Sequence, residues 1–291
     1  WDYPYELYAR GGWLSPDSPD WFAEYARVVV EKLSDRVRFW MTQNEPQITS
    51  YLGHRTGCFA PGLTLGLAEE LCAAHHMLLA HGKAVQVIRA AARRPPQVGF
   101  APVGFCKLPA SDSQADIAAA REATFWIDEP NTSNGVLWMD AAFRGEYPEQ
   151  AMAAAYGDVR PPVRSGDMEI IAQPMDFCAV NIYQAHSVRA LPGGGSEGVN
   201  QPVGEPMTGF NWSVTPGVLY WGPKFFHERY GLAIYITENG MSNRDWVHAD
   251  GAVHDPQRID FLTRYLRELS RAADDGVDVA GYFLWSLMDN F

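Results

Sequence analysis

The stretch at residues 232–240, LAIYITENG, constrains the fold of this chain more than any other. Five of its first six residues are apolar and two are Ile, the composition of a strand buried on both faces. Asn239-Gly240 ends it, because both residues tolerate the positive φ of tight turns. Glu238 therefore stands at the carboxyl end of a buried parallel strand, the place where α/β barrels hold their chemistry. The plain alternative is an exposed strand-end carboxylate beside a turn.

The same arrangement recurs upstream. Residues 37–42 read as a strand that runs into Gln43-Asn44-Glu45-Pro46, and Pro46, with no N–H, closes it. Residues 97–103 and 174–183 (PMDFCAVNIY) read as further strands, the second ending near Asn181 and Tyr183. Residues 277–287 read as the last, with Trp285 near its end. Between them lie helical stretches. Ser18-Pro19-Asp20 carries the signature of a helix start, a cap residue followed by Pro and an acid. Trp21, Phe22, Tyr25, Ala26, Val29, Val30 and Leu33 then recur along one side. Residues 66–93 read as one long helix, 111–127 as an Ala-rich one, and 135–156 as a helical region broken at Gly145 and Pro148. Residues 218–230 form a helix before the opening strand. Asp255-Pro256 caps a final one, whose face is Ile259, Leu262, Tyr265, Leu266 and Leu269.

Strands alternate with helices at roughly 40- to 60-residue intervals, which implies right-handed βαβ units and a parallel sheet. Five strands are visible, with Trp1 as the candidate end of a sixth. The expected fold is α/β, an incomplete (β/α)8 TIM barrel running from about the end of strand 3 to strand 8, as a single partial domain over residues 1–291. A complete barrel has eight strands. Residues 191–211 are rich in Gly and Pro without periodicity, so a rim or lid over a site is expected there, with a disordered surface loop as the alternative.

The chain has 291 residues, 47% hydrophobic, which is ample for one large core. A net charge of −12 argues against nucleic acid and anionic membrane surfaces as partners. No apolar run is long enough to span a bilayer. Cys58, Cys72, Cys106 and Cys178 are widely spaced without a CxxC pair, so neither a zinc site nor a disulfide scaffold is expected. His75, His76 and His81 fall in the long helix without an HExxH pattern and are read as packing residues. No GxSxG or phosphate loop is present, and Gly193 to Gly195 is a plain glycine run. No cofactor or metal is expected. The first residue is Trp rather than Met and the last follows an apolar run, so both ends read as cut. The expected location is cytoplasmic, a leader segment being invisible in such a piece. Oligomeric state is open.

Asn44, Glu45, Asn181, Tyr183, Glu238 and Trp285 all fall at strand carboxyl ends, which converge on one face in a barrel. Carboxylates, amide and phenol hydrogen-bonders and an indole platform suit a sugar. Two acids flanking a glycosidic bond complete the minimum for hydrolysis. One of them must be protonated and the other ionised at working pH.

Seven motifs in order then identify a family. MTQNEP resembles TxNEP, YITENG resembles [IV]TENG, and WDYP is similar to HWDLP without its His. YLGHRTGCFAPG resembles GYxxGxxAPG, HHMLLAHGKAV resembles HNxLLAHgxAV, DFCAVNIY resembles DFxGxNYY, and GYFLWSLMDNF resembles GYfxWSLxDNFEW. The chain as a whole resembles glycoside hydrolase family 1, the retaining β-glucosidase type. The resemblance implies Glu45 as general acid/base and Glu238 as nucleophile. Asn44 would bind the sugar 2-hydroxyl, Tyr183 would hydrogen-bond the nucleophile, and Trp285 would floor the glycone subsite. Asn181 and Trp1 match positions in or beside the sugar site.

Gln43 departs from the hydrophobic residue usual in TxNEP, and Ile182 from the first Tyr of NYY. Neither removes a catalytic atom. The family's sugar-binding Gln, an Arg near the nucleophile, the His of HWD and a Glu-Trp pair lie outside the sequence. The isolated piece is accordingly expected to be unstable or inactive, with strand edges unpaired and core faces bare. The implied substrate is a small-molecule β-glycoside or oligosaccharide. WSLMDNF stays close to members acting on unphosphorylated sugars, and preference among glucoside, galactoside and fucoside is open. A non-catalytic sugar-binding barrel and a glycosyl-transferring relative are the alternative readings.

Overall fold

The computed structural model describes residues 3–288. Trp1 lies outside the described residues. In chain order the elements are α1 (Tyr5–Tyr8), α2 (Ser18–Leu33), β1 (Phe39–Asn44), α3 (Pro46–Ser50), α4 (Leu67–Ala91), β2 (Gln97–Ala101), β3 (Lys107–Pro109) and α5 (Gln114–Thr124). They continue with α6 (Gly135–Arg144), α7 (Glu149–Tyr156), α8 (Asp167–Ile171), β4 (Phe177–Asn181), β5 (His186–Ala190), β6 (Ser196–Gly198), α9 (Val218–Tyr230), β7 (Ala233–Asn239), α10 (Pro256–Asp274) and β8 (Val279–Leu284). All five strands expected from the apolar runs are present; β1 keeps the expected length but starts two residues later, at Phe39, and the other four are each shorter than their runs. Among the described residues no helix is long and apolar enough to cross a membrane.

The chain divides into two compact units, residues 1–103 with 126–179, and residues 104–125 with 180–291. In the first, β1 pairs in parallel with β2, and β2 with the start of β4. Val30 of α2, Val85 and Ile88 of α4, and Val98 of β2 form a core cluster, with Trp40 and Met175 packed against it. Helix α4 is apolar around most of its surface, and Leu71, Ala73, Ala74, Met77, Leu78, Ala80, Ala84 and Val85 are all buried. A helix covered on several sides has no polar face to spare. Its three histidines are buried and satisfied in part by Tyr147 and Asp167 (His75, 2.9 Å each), the Trp13 carbonyl (His76, 2.8 Å) and Thr42 (His81, 2.6 Å). Gly82 faces α8 so closely that a Cβ would fall 1.9 Å from the Ile170 oxygen.

In the second unit β7 pairs in parallel with β8, and β3, β5 and β6 make a separate small sheet. Tyr265 of α10 is fully buried and stacks on Phe261 at 3.7 Å. Phe225 of α9 packs with Ala120 of α5 and Val188 of β5.

Several local expectations are corrected. Ser18 is the first helical residue of α2, not a side-chain cap, and no side chain caps that helix at Asp17. Asp255 does precede α10, but its carboxylate goes to Arg258 at 2.9 Å instead of to the helix N–H groups. On α10 the inward face is Phe261, Tyr265, Leu269 and Ala272, while Ile259 and Leu266 are exposed. The helical period was right and its phase was shifted, because Phe261 replaces Ile259 as the inward residue. Part of the stretch at 191–211 is ordered. Gly193, Gly194 and Gly195, all at positive φ, turn the chain from β5 into the antiparallel strand β6, and Met207 bridges Ser213. Strand β7 is not equally buried on both faces: Ile234 and Ile236 are fully buried, while Tyr235 and Thr237 are only partly covered. Among the described residues β1 pairs with β2 alone and β8 with β7 alone, and Phe39, Met41, Phe283 and Leu284 on them are exposed.

Candidate active site

Asn44 is the last residue of β1, and Glu45 follows it, half-buried. The Glu45 N–H donates to the Ala101 carbonyl at 2.9 Å, carrying the β1–β2 pairing one residue past the strand. Its carbonyl accepts from Ile48 N–H at 2.9 Å and so starts α3. Between these two bonds the chain must turn sharply. Glu45 adopts φ 46° and ψ 54°, the left-handed region that ordinary L-residues avoid. Such strain costs on the order of 1–3 kcal/mol and persists where neighbouring structure enforces it.

The enforcement is visible on both sides. Thr42 Oγ1 meets buried His81 Nδ1 at 2.6 Å, and Gln43 Nε2 donates to the Met77 carbonyl at 2.9 Å, so the end of β1 is tied to α4. Gln43, noted as a departure, thus uses its amide to bond a helix carbonyl, which a hydrophobic residue could not do. Beyond Pro46, the fully buried Gln47 bonds both backbone groups of Val103, accepting from its N–H at 3.2 Å and donating to its carbonyl at 3.3 Å. Gln47 was missed in the sequence. A polar residue in the first turn of a short helix carries no period that would mark it as buried.

In the other unit, Glu238 is the penultimate residue of β7 and half-buried. Tyr183 Oη donates to its Oε2 at 2.6 Å, and the Asn181 amide also bonds its carboxylate. Burial pushes the Glu238 carboxyl above the usual carboxylate range, while these two donors, by favouring the ionised form, pull it back. Three further bonds join the ends of β4 and β7. Ile182 N–H donates to the Glu238 carbonyl at 2.9 Å, Thr237 Oγ1 to Asn181 Oδ1 at 2.7 Å, and Asn239 Nδ2 to the Ile182 carbonyl at 2.7 Å.

Trp285 follows β8, its side chain is exposed, and its backbone N–H donates to the Asn239 carbonyl at 2.8 Å. A Cβ on Gly240 would lie 2.0 Å from the Trp285 oxygen. Gly240 is therefore required by close backbone approach. It is not among the residues with positive φ, which corrects the turn argument made from its sequence. The peptide bond between Trp285 and Ser286 is cis.

The second unit thus brings Asn181, Tyr183 and Glu238 together directly and ties Trp285 to the neighbouring backbone. The first places Asn44 and Glu45 side by side at the end of β1. One more aromatic residue belongs with this set. Trp212 lies with its ring 5.3 Å from that of Tyr183, and Phe210 lies 5.6 Å beyond it. The turn at 207–213 holds it, with Thr208 N–H bonded to the Trp212 carbonyl and Ser213 N–H to Gln184 Oε1. Trp212 lies one residue past the Gly- and Pro-rich stretch at 191–211 expected to rim a site, and nothing in the sequence singled it out.

Comparison with known proteins gives a consistent result. The model of Glycosyl hydrolase family 1 matches residues 1–291. The chain is 37% identical to a 1,4-beta-D-glucan glucohydrolase of Thermotoga neapolitana, covering all of this chain and 67% of that protein. It is 36% identical to a beta-glucosidase of an Agrobacterium species, covering all of this chain and 62% of that one. A solved family 1 β-glucosidase from Thermotoga maritima, in complex with isofagomine lactam, superposes with a TM-score of 0.85 at 36% identity, over all of this chain and 64% of that chain. The sequence thus spans a little under two thirds of the length of most such relatives.

Proposed function

The chain belongs to glycosyl hydrolase family 1, a family of (β/α)8 barrels, and from that premise we propose that it carries the catalytic residues of a retaining β-glucosidase. The substrate is a terminal β-D-glucosyl residue of a small glycoside or oligosaccharide, and the reaction is hydrolysis by double displacement. Glu238 attacks the anomeric carbon and forms a covalent glycosyl-enzyme as the leaving oxygen departs. Glu45 donates the proton that oxygen takes up. It then removes a proton from the water that attacks the same carbon, releasing Glu238 and returning the sugar with its original configuration.

The observation that carries the assignment is the pair of hydrogen bonds donated to Glu238 by Tyr183 and Asn181. A nucleophilic carboxylate must be ionised and aimed, and two donors on one half-buried carboxyl serve both ends. Asn44 holds the 2-hydroxyl, where transition-state hydrogen bonds contribute most, and Trp285 offers its indole to the apolar face of the pyranose. Trp212 adds apolar surface beside Tyr183. The names of the relatives, a glucan glucohydrolase and a β-glucosidase, favour glucosides among the β-glycosides.

The deciding experiment is hydrolysis of an aryl β-glucoside by the complete polypeptide, with Glu45→Ala and Glu238→Ala beside the parent. Both variants are expected to lose activity, and the first product of the parent is the β-anomer by NMR. Full activity in either variant, or inversion at the anomeric carbon, refutes the proposal.

A further inference from the structure

Among the groups that meet Glu238 or its partners, Thr237 has no role in the reaction as described. Its hydroxyl donates to Asn181 Oδ1 at 2.7 Å. Asn181 is fully buried, its backbone carbonyl accepts from Gly104 N–H at 2.8 Å, and its amide bonds Glu238. A primary amide has one acceptor end and one donor end. With Glu238 ionised, the donor end must face the carboxylate, since the reverse arrangement sets two acceptors against each other. The oxygen then faces Thr237, and the hydroxyl, whose hydrogen rotates to suit its partner, donates.

We propose that Thr237 is a positioning residue for the nucleophile, acting through Asn181. The three groups form a one-way chain: Thr237 O–H to amide oxygen, amide N–H to carboxylate. Donation into the amide oxygen polarises the amide and strengthens its N–H as a donor, so the bond to Glu238 is better than an unsupported amide would make. The hydroxyl also gives a buried amide oxygen a donor, which favours this orientation of the amide over the turned one. Thr237 and Glu238 are adjacent on β7, so the strand supplies both the nucleophile and the far anchor of the group that holds it. This role rests on Glu238 being the nucleophile, and the tests separate the two.

Thr237→Val keeps the shape and β-branching and removes the hydroxyl, whereas Thr237→Ser keeps the hydroxyl and loses a methyl group. Two measurements are made on each. The first is the titration of the Glu238 side-chain carboxyl by 13C NMR in selectively labelled protein, its resonance assigned by loss in Glu238→Gln. Thr237→Val is expected to titrate at higher pH than the parent, and Thr237→Ser close to the parent. The second is the pH profile of aryl β-glucoside hydrolysis by the complete polypeptide. Its acidic limb moves upward in Thr237→Val and kcat falls roughly tenfold, the loss of about one hydrogen bond, while Thr237→Ser recovers both.

An unchanged Glu238 titration in Thr237→Val overturns the inference, as does a Thr237→Ser variant displaced as far as Thr237→Val, which would assign the effect to packing. The nucleophile reading fails separately, if Glu238→Gln retains hydrolysis. The titration needs no turnover and decides the positioning claim in either event.

Discussion

Glu45 and Glu238 both stand at the carboxyl end of a parallel strand, yet they are held by different means. Glu45 is placed by its backbone: a left-handed φ, with a main-chain bond to Ala101 on one side and the first turn of α3 on the other. Glu238 sits in ordinary strand geometry and is fixed through its carboxylate by a phenol and an amide. The difference suits the two roles proposed. A general acid/base must change protonation state twice per cycle, and the left-handed turn fixes the direction in which its side chain leaves the strand. A nucleophile must stay ionised, and donors aimed at it favour that form.

The largest effect expected from breaking this contrast is loss of the nucleophile. Glu238→Ala should lower kcat for an aryl β-glucoside by roughly four orders of magnitude or more, about 5.5 kcal/mol of barrier. Glu45→Ala should cost about 10²–10⁴-fold on a poor leaving group, and much less in the first step when the leaving group is an acidic phenol that needs no proton. Comparing leaving groups in the two variants checks the division of roles. An equal leaving-group dependence in both would dissolve it. Tyr183→Phe comes next. It removes one donor from Glu238, so the ionised form is less favoured, and the acidic limb of kcat/KM should move to higher pH with a drop of about tenfold. A profile that keeps its acidic limb would show that Tyr183 does not act through Glu238.

The contrast also marks how far the sequence could be read. Both carboxylates were legible because each ends an apolar run with Asn beside it, and strand ends are where parallel α/β folds expose side chains. Tyr183 was legible as a phenol at another strand end, and the bond to Glu238 that the family resemblance implied is present at 2.6 Å. What was not legible is the support. Thr42, Gln43, Gln47 and Thr237 are polar residues whose partners lie 34 to 56 positions away, and no local pattern specifies such pairings. The strain at Glu45 was equally hidden, since NEP reads as a strand end closed by proline, not as a left-handed turn. Gly240 was noticed for the wrong reason: its neighbour in space, Trp285, comes 45 residues later in the chain. The order within residues 191–211 was missed because the β5–β6 hairpin is short and its turn is three glycines.

Backbone placement makes a prediction that side-chain placement does not. If Glu45 holds a disfavoured φ, then glycine, which adopts it freely, should relieve strain that alanine retains. Glu45→Gly is expected to be more stable than Glu45→Ala by about 1 kcal/mol, measured by urea unfolding, although both lose the acid/base. At Glu238, where the φ is ordinary, the order should reverse, because glycine in a strand only adds chain entropy to be lost on folding. Glycine proving the less stable at Glu45 would argue against a strained turn there.

The smallest effect concerns what Glu238 does to the fold that carries it. Burial raises its carboxyl above the value it has in an unfolded chain, and the two donors offset this only in part. A group with a raised folded-state pKa holds its proton more tightly when folded, so its contribution to stability is complete below the unfolded pKa. That contribution is lost as pH rises through the folded one. At neutral pH the ionised carboxylate is therefore a net burden on the fold, retained for its chemistry. Glu238→Gln keeps the shape and removes the charge, so its melting midpoint should exceed the parent's at pH 7 and match it near pH 4. The same experiment on Glu45→Gln gives the comparison at the other carboxylate. A Glu238→Gln variant no more stable than the parent at pH 7 would mean that Tyr183 and Asn181 compensate the burial fully, and the functional burden would then lie in the strained turn at Glu45 alone.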